Sequence, residues 1–66
     1  MNEIETKITK VEEVYLKEDE NIVDITATLL SETETHYIAN VVQTSNNGDE
    51  LHIDEGQYPK NLVDSM

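Results

Sequence analysis

The run IVDITATLL at residues 22–30 constrains the fold more than any other stretch of this chain. Val23, Ile25, Ala27 and Leu29 alternate with Asp24, Thr26, Thr28 and Leu30. A period of two is the pattern of a half-buried strand. Two further strands are expected, from about Thr35 to Thr44 and from Glu50 to Asp54. Between them lies NNGD, where Asn47-Gly48 predicts a two-residue hairpin turn with positive φ at both central positions. That turn sets Thr44 opposite Leu51, Val42 opposite Ile53 and Tyr37 opposite Tyr58. A tight turn at Glu32-Thr33 sets Leu30 opposite Thr35, Ala27 opposite Ile38 and Val23 opposite Val42. In this register Val23, Ile25, Ala27 and Leu29 share one face with Ile38, Val42, Leu51 and Ile53.

The N-terminal stretch TKITKVEEVYL is rich in β-branched residues. Ile4, Ile8, Val14 and Leu16 would share a strand face, and a turn through Asp19-Glu20 would set Leu16 opposite Val23 and Val14 opposite Ile25. A long first strand, bulged near Glu12-Glu13, is therefore expected. The helical spacing of Ile4, Ile8, Val11 and Tyr15 is the competing reading. Pro59 should end the last strand, leaving a tail QYPKNLVDSM whose Leu62 and Val63 can fold back. The expected architecture is all-β: a four-stranded antiparallel meander with a short C-terminal tail, forming one domain over residues 1–66. A single sheet of this kind exposes an apolar face, and a symmetric homodimer would cover it. Sixty-six residues without cysteine cannot be stapled by disulfides, which also favours association.

Charge sets the functional expectation. There are 15 Asp and Glu against four basic residues, all lysines, for a net charge of −11. Such a chain repels nucleic acid and anionic membrane and attracts basic partners. No apolar run approaches the roughly 20 residues of a membrane span, and MNEIETKITK lacks the form of a secretory signal. The cytoplasm is the expected compartment.

Three other chemistries fit poorly. His36 is expected on the face of Ile38 and His52 on the opposite face, so the two do not converge on a metal. SNNGDELHIDEG is rich in oxygen ligands, but its acids lack the alternate spacing of a calcium loop. No phosphate-binding glycine loop and no nucleophile in a recognisable setting are present, so neither a cofactor nor catalysis is expected. In a meander the first and third turns share one end of the sheet. Glu18, Asp19 and Glu20 should then lie near Asp49 and Glu50, while Glu3, Glu5, Glu32 and Glu34 gather at the other end with Asp54 and Glu55 nearby on the last strand. Tyr37 and Tyr58 would add an aromatic anchor to a contact or a dimer seam.

In size, charge and expected β form, the chain resembles the small acidic DNA-mimic proteins that phages use in host takeover. The resemblance rests on composition and architecture, since the ESI element of the best-known glycosylase inhibitors is missing. It implies a non-enzymatic inhibitor that presents carboxylates where a basic DNA-binding protein expects phosphates, with HU-like nucleoid proteins the favoured target. Inhibition of a DNA-processing enzyme (a uracil-DNA glycosylase, a restriction or a CRISPR nuclease) and an assembly module whose acidity serves only solubility are the alternatives.

Overall fold

A computed structural model describes residues 3–16 and 20–66. Its elements are helix α1 (Glu3–Leu16), strands β1 (Ile22–Glu32), β2 (His36–Ser45) and β3 (Glu50–Pro59), and a short helix α2 (Lys60–Asp64). The strands form one antiparallel sheet in the order β1-β2-β3. The protein is thus a small, predominantly β domain, but the expected fourth strand is a helix.

The reason lies in what each conformation can bury. As a strand, residues 4–16 would put Ile8 and Val11 on opposite faces. As a helix they fall three apart on one stripe with Ile4, and both Ile8 and Val11 are fully buried against the sheet. Burial of that stripe outweighs the weak helix preference of its β-branched residues. Local chemistry helps: Glu3 and Glu5 sit in the first turn, where the helix dipole favours acids. Lys7 lies 3.7 Å from Glu3, and the Thr9 hydroxyl donates to the Glu5 carbonyl at 3.0 Å. With α1 on one face and α2 packed against α1 and β3, the apolar face needs no second copy to cover it. A homodimer has no support in this architecture.

The register differs from expectation for equally local reasons. The first connection is Thr33-Glu34-Thr35, not a tight turn at Glu32-Thr33. The Thr33 hydroxyl oxygen accepts from the Thr35 and His36 amides (3.3 and 3.0 Å), and the Thr33 amide donates to the His36 carbonyl at 2.8 Å. Ala27 therefore pairs with Val41, Ile25 with Gln43 and Leu29 with Ala39, and bulges occur at Val23 and Leu30. β2 thereby turns its odd residues inward. The core is Ile8, Val11, Ala27, Tyr37, Ala39, Val41, Tyr58 and Val63, with Ile4, Ile25, Leu29 and Ile53 packed around it. Ile38 and Val42 lie on the opposite face, and Val23 and Leu51 are mostly exposed.

The second hairpin has a three-residue loop, Asn46-Asn47-Gly48. The Gly48 amide donates to the Ser45 carbonyl at 3.0 Å and the Ser45 amide to the Asp49 carbonyl at 2.8 Å. Only Gly48 takes positive φ there (91°), so this is a type I turn closed by a left-handed glycine. The Ser45 hydroxyl, bonded to the Asn47 side chain, also accepts from the Asp49 amide at 3.1 Å and holds the longer loop. Thr44 accordingly pairs with Glu50, Val42 with His52 and Val41 with Ile53. An extra residue at Asp54-Glu55 then shifts the ladder back by one, so Tyr37 does face Tyr58. Glu55 adopts φ 53°, and its amide donates to the Asn40 side chain at 2.9 Å. β3 runs on to Pro59, well past Asp54, and Val63 of the tail folds back to become fully buried.

Candidate interaction surface

The acidic residues fall into distinct settings once the fold is known. Glu18 and Asp19 lie outside the described residues. Glu20 is exposed in the turn before β1, and the Asn46 amide donates to the Asn21 carbonyl at 2.7 Å. That bond joins the α1–β1 turn to the β2–β3 loop, so Glu20, Asp49 and Glu50 do share one end of the sheet. Glu32 and Glu34 occupy the opposite end, where Lys60 lies 3.7 Å from Glu32. Asp54 and Glu55 are not at that end; they form the bulge midway along β3. All of these described carboxylates are exposed.

The tyrosines are placed differently from expectation. Tyr37 and Tyr58 pair across the sheet, yet both rings are buried (7% and 3% exposed) on the face beneath the helices. Neither is open to a partner. The Tyr37 hydroxyl donates to Asp64 at 2.9 Å, and the Lys60 ammonium sits 5.3 Å from the Tyr37 ring centre, together fastening α2. Asp64, first through that hydrogen bond and then with help from burial, raises the Tyr37 phenol above its ordinary range.

Tyr58 belongs to a buried polar group that sequence reasoning missed. Its hydroxyl donates to one oxygen of Glu12 at 2.6 Å, and the Gln43 amide donates to the other at 2.9 Å. Glu12 and Gln43 are each 5% exposed. Burial, and then the Glu12 bond, push the Tyr58 phenol well above the usual tyrosine range. The clue was available: Glu12 sits four residues after Ile8, on the apolar stripe of α1. Both Glu12 oxygens accept hydrogen bonds, so the trio locks α1 to β2 and β3.

The histidines share one face after all, because His52 pairs with Val42 and His36 with Pro59. Six residues of β2 separate these rows, about 20 Å at strand rise, so they do not converge. Among the described residues no three His, Asp or Glu side chains are grouped to hold a metal ion. An open groove of about 240 Å³ where α1 meets the edge strand β1 is lined by Glu5 and Thr9 on the helix and by residues 24–27 of the strand, and it buries no carboxylate. No helix among the described residues is long and apolar enough to cross a membrane. Comparison with protein-family models, with curated proteins and with solved structures finds no match.

Proposed function

We propose that this chain is a non-enzymatic anionic decoy that occupies the DNA-binding surface of a basic DNA-binding protein, with an HU-like nucleoid protein as the favoured target. One observation carries the reading: a net charge of −11 is spread over a compact body of 37 × 20 × 19 Å. A duplex as long as the body's longest axis carries on the order of 22 phosphate charges, one per roughly 1.7 Å. A protein docked on a duplex meets mainly one side of it, so a single copy offers a comparable charge per length. Charge of this density steers association with a cationic surface and makes it salt-sensitive.

The test is displacement of a short fluorescent duplex from a purified HU-family dimer. The expected result is loss of DNA anisotropy at near-stoichiometric amounts of this protein, with the effect fading as salt rises. Unchanged anisotropy in large excess at about 0.01 M salt, where the Debye length is about 30 Å, would rule the reading out.

A further inference from the structure

The two faces of the sheet differ in a way the acid count alone does not convey. Both helices pack on one face, and nothing among the described residues covers the other. The described lysines, Lys7, Lys10 and Lys60, all belong to helices, and no strand contains one. Cross-strand pairing builds the open face in rows. Asp24, Thr44 and Glu50 form the first, and Thr26, Val42 and His52 the second. Thr28 and Asn40 form the third beside the Asp54-Glu55 bulge, and Ser31, Ile38 and Gln57 the fourth.

We infer that this open face is the docking surface for a cationic protein partner; the inference rests on the decoy reading and moves its contact from the turns to the sheet. Half-buried Val42 and Ile38 run along the middle strand. Hydroxyls and amides flank them, and carboxylates stand at one end and at the bulge. An apolar centre within a polar, charged rim is the usual anatomy of a protein contact. Charge selects the occupant. A second copy would set Asp24 and Glu50 against a face that carries the same acids and no lysine, whereas Lys- and Arg-bearing surfaces complement it. Ten residues at strand rise by three strands gives roughly 450 Å², below the roughly 800 Å² per partner of a standard interface. Binding through so small a face depends on its charges.

Variants that change charge equally but sit on different faces test this. Thr26→Lys and Val42→Lys each put one cation on the open face, and Val14→Lys puts one on the exposed side of α1. Each is assayed for displacing the duplex from the HU-family dimer at about 0.1 M salt, where screening acts over about 10 Å, with circular dichroism to verify folding. The open-face variants should need at least about tenfold more protein for half-displacement, and Val14→Lys less than about threefold more. Thr26 is exposed on an edge strand, so its variant stands if Val42→Lys does not fold. Equal loss from all three variants overturns the face while leaving the decoy reading intact. A wild type that displaces no DNA overturns both. Sedimentation showing a wild-type dimer that Thr26→Lys dissociates makes the occupant a second copy, which also overturns the inference.

Discussion

At the scale of single residues, the most consequential contact is the bond from Tyr58 to Glu12. Tyr58→Phe removes one of two donors to a buried carboxyl group and should cost about 1–3 kcal/mol. Thermal unfolding should register this as a drop of several degrees or more in Tm. The same bond predicts a pH dependence. The fold raises the Tyr58 pKa, so it favours the neutral phenol. That stability is complete below about pH 10, where unfolded tyrosine ionises, and is lost as pH climbs toward the folded value. Tm should therefore fall above pH 10, and fall less steeply in Tyr58→Phe. An equally steep fall in the variant would place the alkaline sensitivity elsewhere. Gly56 serves this arrangement, because a β-carbon there would come within 3.0 Å of the Tyr58 ring and hydroxyl.

At the scale of elements, α1 is held by its buried stripe, and this is measurable. Ile8→Ala should cost about 2–5 kcal/mol, whereas Val14→Ala, at a position 53% exposed, should change stability by less than about 0.5 kcal/mol. Comparable losses at both sites in denaturant titrations would refute the described orientation of the helix. The elements also show what the sequence could and could not reveal. The inward set of β1 was legible, because Ile25, Ala27 and Leu29 alternate with Asp24, Thr26 and Thr28. β2 was not, since Tyr37, Ala39, Val41 and Gln43 are hardly more apolar as a set than Ile38, Asn40, Val42 and Thr44. The Thr33 hydroxyl and two bulges decided its parity, and neither advertises itself in composition. The Tyr37–Tyr58 pairing was anticipated although the loop was not, because the extra residue at Asp54-Glu55 cancels the longer connection. For α1, strand-like composition competed with a helical stripe. The stripe prevailed because a three-stranded sheet must cover its apolar face.

At the scale of the whole molecule, net charge dominates. Like charges oppose the compact state, and salt screens them. Tm should rise by several degrees between about 0.01 M salt, with a Debye length of about 30 Å, and about 0.15 M, with about 8 Å. A flat profile over that range would mean that repulsion takes little from stability. The acidic ends were legible in part. Glu20 and Asp49 lie at the same end of the sheet, whereas Asp24 was missed as a surface residue of interest because it stands inside a strand and not at a turn.

The Glu12–Tyr58 contact also joins residues 46 apart in the chain, which gives the molecule a birth order. α1 is translated well before its partners in β3 and α2. At roughly 5–20 residues per second, Tyr58 follows Glu12 by several seconds, an age beside the sub-microsecond formation of a helix turn. Until then Glu12 lacks the Tyr58 donor, and α1 can pack only on the part of the sheet already made. The core closes only once Tyr58 and Val63 have both been made.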